Sequence, residues 1–407
     1  MPLAAEPLST YTPGSLPGLD GLDVNGKRVL LRVDYNIPTT ADGSLEDDYR
    51  LEATLPTIRR LLRDGARLGI LTHRGRPGGR AVAELSTKPL AKLLSEMLGQ
   101  EIMHVPDSVG RMAEQAMEQL APGQALMFEN VRYHLGEQLN QQTFVLELAK
   151  LADIFVNDAF ATAHRAHAST SGLAAAMNVS VLGDLMMREL GWLRRMASEP
   201  KKPMVLVLGG QSVEPKLDLL RRMLGRADTV MLGGAVANTF MAARDLGMGQ
   251  STLDPTFVDS ARDALTEAGV VGCRLHLPQD VWVRRIGQLD DGAEAKTAHT
   301  ISAQESVVDV GPQTLKTWQR LIEGAGTVLF LGSVGITEKE IGRQSTLGLL
   351  QTVTSQRGYC LVGGNGLMPV LRESGLKERL DCLSTGGASL VNGLLGKPFP
   401  CIDAVKR

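Results

Sequence analysis

Several segments in the first half of this 407-residue chain hold side chains suited to gripping an anion: RVDYNIP (32–38), EDDYRLEATLPTI (46–58), THRGRPGG (72–79), ENVRYHLGEQLN (129–140) and NDAFATAHRAHAST (157–170). Arg50, Arg76, Arg132 and Arg165 follow or border the ends of apolar runs. A guanidinium presents a planar fork of donors that matches the oxygens of a phosphate or carboxylate better than a point charge does. One such arginine is ordinarily a solvated charge, but four of them beside Gly and Pro turns point to a small dianion as ligand. Asp34 and Asn36 can either cap their own turn or hydrogen-bond the hydroxyls of that ligand. His73, His164 and His167 accompany the arginines. The HRAH string puts two imidazoles three residues apart, as a metal pair could be, yet no acidic partner stands at metalloprotease spacing and the company favours an anion. No protein metal-ligand set is expected.

Chemistry of another kind marks the second half. Glycine pairs stand at 209, 233, 363 and 386, each after an apolar run, and the first opens the stretch GGQSVEPKL, with Lys216 its one cation. Glycine lets backbone approach a ligand closely, and a helix that starts just beyond can receive phosphate on its N–H groups. Neither GxxxxGK[ST] nor GxGxxG occurs, so the P-loop and the dinucleotide fingerprint are both excluded.

The elements that must position these groups are legible as short apolar runs alternating with longer amphipathic stretches. VLLRVDYN, LGILTH, LMFEN and IFVNDAF come first, then MVLVLGG, TVMLGG, VLFLG and YCLVGG, with helical patterns such as RLEATLPTIRRLL and KLDLLRRMLGR between them. Fully apolar strands separated by helices predict α/β architecture: doubly wound parallel sheets covered on both faces, in two domains, with ligands beyond the carboxyl ends of the strands. The pattern LMMRELGWLRRMAS (185–198) predicts an interdomain helix that stops at Glu199 and Pro200. The expected division is 1–183, a hinge helix over 184–200, and a second domain from 201.

Composition removes whole classes of function. With 43 basic against 45 acidic residues there is no bulk field to favour nucleic acid or an anionic membrane, so neither partner is expected. No apolar run reaches the roughly 20 residues of a membrane span, and the first twenty residues lack signal-peptide character. Cys273, Cys360, Cys382 and Cys401 are scattered, which fits reduced thiols and a cytoplasmic protein. The preamble Leu3 to Leu16, rich in Pro, Ser and Thr, is expected to be a flexible start without an assigned role.

RVDYNIP, HRGRP, ENVRYH and VNDAFATAHRAHAS stand in the order and spacing of one family, and from about residue 18 onward the chain closely resembles phosphoglycerate kinase. The resemblance continues through LMMREL, LGGAVANTF, LGSVGITE, LVGGNG and STGG. It implies the two-domain fold of that family, with 1–183 binding 3-phosphoglycerate or 1,3-bisphosphoglycerate, 201–389 binding ADP or ATP with Mg2+, and 390–407 returning to the first domain. It also implies a monomer whose hinge closes to bring the substrates in line. Asp34 and Asn36 would bind the glycerate part and Arg50 would bridge the transferring phosphoryl group. His73, Arg76, Arg132 and Arg165 would hold the phosphate and neighbouring oxygens. In the second half, Gly233 and Gly234 would border the adenine, Glu338 would accept from the ribose hydroxyls, and Gly209, Gly210 and Lys216 would meet the nucleotide phosphates, with Gly363, Gly364, Asn365 and Gly366 completing the site. Arg50 and Lys216 are the catalytic candidates.

Departures from the family pattern concentrate in the second half. Ser212 stands where the family carries a lysine that neutralises the phosphoryl group in flight, and Gly366 where it carries the aspartate that governs the nucleotide's magnesium. Leu331, Gly332 and Ser333 replace an Asn-Gly-Pro stretch, and Ala388 replaces a glycine. The expected function is therefore phosphoglycerate kinase. The alternatives are an impaired or non-catalytic paralogue that still binds phosphoglycerate, or a kinase of another acyl phosphate.

Overall fold

In the computed structural model, residues 11, 15–38, 45, 47–198, 200–285, 287 and 292–406 are described. Most of the preamble and Glu199, the expected stop of the interdomain helix, lie outside the described residues. The chain divides into two compact units, one made of residues 1–194 with 388–407, the other of residues 195–387.

The first unit is built on a parallel sheet of β1 (Arg28–Arg32), β2 (Arg67–Leu71), β3 (Ile102–Val105), β4 (Ala125–Phe128), β5 (Ile154–Asn157) and β6 (Ser180–Leu182). Their order, β3-β4-β2-β1-β5-β6, is doubly wound, and its winding reverses beside β1. Alternation along β1 shows why its run is apolar throughout. Val29 and Leu31 enter one core with Leu51, Leu55 and Ile58 of the helix Tyr49–Arg63, while Leu30 enters the opposite core with Phe128 and Phe155. Two buried faces keep the three positions between Arg28 and Arg32 apolar. Register then sets the strand ends level: Arg32 pairs with Leu71 and with Asn157, and Asn157 with Leu182. Loops that begin at Val33, Thr72 and Asp158 therefore leave the sheet side by side.

The chain's last residues complete this unit. Lys406 and Ser180 exchange backbone hydrogen bonds at 2.8 and 3.0 Å along β6, and Phe399 packs edge-on against Phe160 with ring centroids 5.8 Å apart.

In the second unit, β7 (Met204–Leu208), β8 (Thr229–Leu232), β9 (Arg274–His276), β13 (Thr327–Leu331), β14 (Tyr359–Gly363) and β15 (Leu383–Ser384) form a second doubly wound parallel sheet. Its order is β15-β14-β13-β7-β8-β9, with the switch between β13 and β7. Leu232, Leu208, Leu331 and Gly363 lie in register across it, so the glycine-rich turns that follow share one edge.

An antiparallel sheet of β10 (Asp280–Arg285), β11 (Glu294–Thr297) and β12 (Glu305–Val310), in the order β11-β10-β12, was not foreseen in the sequence. Glu-Ala-Lys-Thr and Glu-Ser-Val-Val-Asp-Val lack the continuous apolar character used to recognise parallel strands, because β11 is mostly exposed and β12 is only partly buried at Ser306 and Val307. Its β12 carries a supporting residue. Asp309 is buried, its carboxylate accepts the N–H groups of Val310 and Ser345 at 2.8 and 2.9 Å, and a Cβ on Gly335 would lie 2.4 Å from Oδ1. It thereby seats the turn that follows β13.

Burial pushes the Asp309 carboxyl up to about 7, against the pull of those two N–H groups. Since its folded pKa lies above its unfolded value, its contribution to stability is fully present below about pH 4 and is lost as pH rises through about 7. Urea unfolding of wild type beside Asp309→Asn over that range is expected to show the stability difference moving toward the variant with rising pH. A difference that stays constant would mean that Asp309 ionises as an ordinary carboxylate.

Candidate functional site

Three loops at the carboxyl ends of β1, β2 and β4 are tied together at one glycine. Asn36, after β1, accepts the Gly75 N–H on its side-chain oxygen at 2.7 Å, while Arg132, after β4, donates from Nη1 to the Gly75 carbonyl at 2.7 Å. Gly75 turns there with φ +57°, a conformation that side chains disfavour. Asp34 is buried beneath, and its carboxylate accepts from Arg50 Nη1 at 2.6 Å and from its own loop at Asn36 N–H, 3.1 Å. Burial alone would raise the Asp34 pKa, but Arg50, with Arg32 behind it, outweighs that and holds the carboxyl far below its usual range. Arg50 is carried on the first turn of the helix Tyr49–Arg63, whose apolar face fixes its height above the sheet.

Arg132 belongs to a short turn, Val131–Tyr133, held by the Asn130 side chain accepting the Arg132 N–H at 3.1 Å. Only 2% of Arg132 is exposed, and its Nε and Nη2 are buried with no partner among the described residues. Desolvation, then repulsion from Arg32 and Arg165, pushes its pKa down to about 10. A buried guanidinium with two unused donors is costly unless an anion completes it. His73 is equally buried, and desolvation, offset in part by Asp34, holds its pKa well below the ordinary value. Arg165, after β5, donates from Nε to His164 Nε2 at 3.2 Å, and His164 Nδ1 meets Ser389 Oγ at 2.6 Å.

Asp34, Asn36, Arg50, His73, Arg132 and Arg165 thus share one cluster in contact or in electrostatic reach. Arg76 lies on the same loop as His73 but is exposed and has no partner among the described residues. The geometry adds residues that the motifs did not single out. Arg32, wholly buried at the end of β1, donates from Nε to Ser169 Oγ at 2.8 Å and from Nη1 to the Val33 carbonyl, and faces Glu137 at 4.0 Å. Glu137 in turn accepts from Ser169 N–H and Oγ at 2.8 and 2.7 Å. A charged residue inside the run VLLRVDYN was the available signal for Arg32.

Across the second unit's edge the glycines are knitted to one another. Gly209 N–H donates to Leu331 O at 2.9 Å, Gly210 N–H to Ser333 O at 2.7 Å, Gly234 N–H to Val334 O at 2.9 Å and Gly332 N–H to Gly363 O at 3.0 Å. A Cβ on Gly209 would lie 2.2 Å from the Ser333 carbonyl, and one on Gly233 2.5 Å from Val334 Cβ. Gly364 turns with φ +122° against Gly332. The first requirement for these glycines is therefore loop-on-loop packing. Gly210 differs, since at φ +88° nothing stands within 4 Å of where its side chain would be. Lys216 lies in the helix Val213–Met223, partly buried, and desolvation lowers its pKa with no acidic group to offset it. Ser212 caps that helix by position but makes no capping hydrogen bond and is exposed. Glu338 and Asn365 are exposed on the turns after β13 and β14. A Cβ on Gly366 would lie nearest to Ser333, 3.1 Å from Oγ, and the Gly366 carbonyl accepts from Thr337 Oγ1 at 3.1 Å. Among the described residues no group of three or more His, Cys, Asp or Glu could hold a metal ion.

Two doubly wound units, one ending in an arginine and histidine cluster and the other in a glycine edge with a partly buried lysine, make up the chain. The family model for phosphoglycerate kinase matches residues 19–397. A phosphoglycerate kinase of Thermomicrobium roseum is 40% identical over 379 residues, covering 93% of this chain and 96% of the relative, and one of Moorella thermoacetica is 36% identical over 387 residues, covering 95% and 98%. Among solved structures, phosphoglycerate kinase from Coxiella burnetii superposes with a TM-score of 0.81 at 36% identity, and that from Pyrococcus horikoshii OT3 with 0.86 at 28%, each covering 96% of this chain and 98% of the other. The chain belongs to the phosphoglycerate kinase family.

Packing on the glycine edge makes a direct forecast. Gly209→Ala and Gly233→Ala should each lower stability by about 1–3 kcal/mol or more, the scale of overpacking a close contact. Gly366→Ala, whose new methyl meets one side-chain oxygen at 3.1 Å, should change it far less. Thermal unfolding of the three variants checks the order, and equal losses would contradict the packing role.

Proposed function

We propose that this chain is a phosphoglycerate kinase, moving a phosphoryl group reversibly between 1,3-bisphosphoglycerate and ADP to give 3-phosphoglycerate and ATP, as in glycolysis. The observation that carries the reading is Arg132, two of whose buried donors have no partner among the described residues, within a cluster of cations. In this reading Asp34 and Asn36 take the glycerate hydroxyl and carboxyl region, and His73, Arg132 and Arg165 hold the substrate's phosphate and oxygens, with Arg76 joining from its exposed loop. Arg50, held by Asp34 at 2.6 Å, meets the phosphoryl group in transfer.

On the second unit the nucleotide phosphates are assigned to Gly209, Gly210 and Lys216, the adenine to the edge at Gly233 and Gly234, and the ribose to Glu338. Gly363, Gly364, Asn365 and Gly366 border the phosphates from β14. The open Gly210 and the unoffset, partly buried Lys216 ammonium fit a phosphate chain. Magnesium bound to the nucleotide's oxygens would neutralise phosphate charge; in the absence of the family aspartate, Asn365 is the nearest candidate to touch its water shell. We read the protein as a cytoplasmic monomer, acting without nucleic acid or membrane, with 184–200 as its hinge. No described helix is long and apolar enough to cross a membrane.

Phosphoryl transfer asks the protein for position and charge neutralisation more than for covalent chemistry. No general base is needed, because the leaving carboxylate and the attacking ADP oxygen are already ionised. Loss of one preorganised donor raises a barrier by about 3 kcal/mol, roughly a hundredfold in rate. Ser212 in place of lysine and Gly366 in place of aspartate should therefore set turnover below that of relatives with both groups, with Arg50 and Lys216 supplying the remaining charge.

Coupled assays in both directions should detect turnover in the wild type and an increase of about tenfold or more in the Ser212→Lys, Gly366→Asp double variant, in which the Ser333 side chain gives way by a few tenths of an ångström. Calorimetric titration should show 3-phosphoglycerate binding to both, and Arg132→Met should weaken it at least about tenfold. Absence of 3-phosphoglycerate binding by the wild type would overturn the reading.

A further inference from the structure

We propose that Arg32 is a positioning residue that sets the tautomer of His73, holding Nδ1 as an acceptor so that the ring proton resides on Nε2 and the neutral imidazole meets the substrate as a hydrogen-bond donor. The inference rests on the phosphoglycerate reading of this unit for its consequence, but on geometry alone for the tautomer.

Arg32 Nη2 lies 3.1 Å from His73 Nδ1. A guanidinium has donors only and keeps its proton, so a hydrogen bond between the two fixes the direction: Nδ1 accepts. A neutral imidazole with Nδ1 accepting carries its proton on Nε2. That nitrogen makes no hydrogen bond to the described residues, so its N–H remains for a ligand oxygen.

The guanidinium is not free to turn away. Its Nε is held by Ser169 at 2.8 Å, its Nη1 by the Val33 carbonyl, and its charge faces Glu137, which Ser169 fixes through two hydrogen bonds. Arg32 is fully buried and His73 is 2% exposed, so water offers little alternative. Ser169 sits in the one-turn π-helix Ala168–Gly172, an irregularity of the kind found at functional sites.

The charges facing His73 reinforce the assignment. Asp34 favours an imidazolium, whereas desolvation, the largest effect, and then Arg32, Arg132 and Arg50 oppose it. His167, beside Glu137 at 3.8 Å and also held neutral, adds no charge from behind. Protonating His73 would convert its acceptor into a second donor pointed at Arg32 and place another cation among three. A neutral donor of fixed tautomer grips an anionic oxygen without titrating through the physiological range, which a free histidine would not do.

The test reads the ring directly and needs no substrate. Long-range nitrogen–proton correlation spectra of histidine-labelled full-length protein, with His73→Gln to assign the signal, should show His73 protonated on Nε2 alone and unchanged from about pH 5 to pH 8. Arg32→Met, which has no donor, should give a mixed tautomer, a titration within that range, and 3-phosphoglycerate binding weakened about tenfold and newly dependent on pH. Arg32→Gln, whose amide can donate to Nδ1, should restore the Nε2–H form. A wild-type ring protonated on Nδ1, or doubly protonated at neutral pH, would overturn the proposal, and that result stands even if Arg32→Met fails to fold. A wild-type ring of the expected tautomer in a protein that binds no phosphoglycerate would leave the assignment in place and count against the substrate reading instead.

Discussion

Level register among parallel strands is the constraint on which everything else in this molecule depends. In each sheet several neighbouring strands end on paired residues, so their following loops emerge together at one edge. Parallel connections return every strand to the same direction, and the switch in winding leaves the edge open where the order reverses. The same geometry serves opposite ends in the two units: long, charged side chains crowd one edge, and bare backbone is woven across the other.

Charge in the first unit is organised by burial. Arg32, Arg50, Arg132 and Arg165 stand near one another with Asp34 and Glu137 as the buried acids. Each carboxylate is spent on orienting a guanidinium, so positive potential is left over, and the surplus falls where Arg132 has unused donors. Desolvation makes that surplus expensive in isolation and correspondingly attractive to a phosphate.

How much of this could be read beforehand varies with the kind of signal. Fully apolar runs exposed eight of the twelve parallel strands and the two-sheet division, because burial on both faces leaves a pattern that survives in one dimension; the short or more polar β3, β6, β9 and β15 gave no such run. Arg50, Arg132 and His73 were readable as well, since polar groups at strand ends announce a loop edge. The antiparallel strands around Trp282 were missed, for a half-exposed strand such as Glu294–Thr297 looks like loop. Arg32, Ser169 and Glu137 were missed for another reason: their association joins residues more than a hundred positions apart, and nothing in local spacing encodes it. Glycines gave the least. A pair followed by a helix suggests a ligand, yet Gly209 and Gly233 are required first by neighbouring backbone, and only coordinates separate them from Gly210.

The return of residues 388–407 to the first unit ties two distant parts of the chain together. Lys406 closes the free side of β6, and Ser389 supports His164. β6 is thereby flanked by segments from both ends of the described residues, Gly18 bridging to Leu182 and Lys406 to Ser180. The second unit, by contrast, is contiguous in sequence. The unit that carries the anion cluster is therefore discontinuous in sequence, and His164 takes its hydroxyl partner from 225 positions further along the chain.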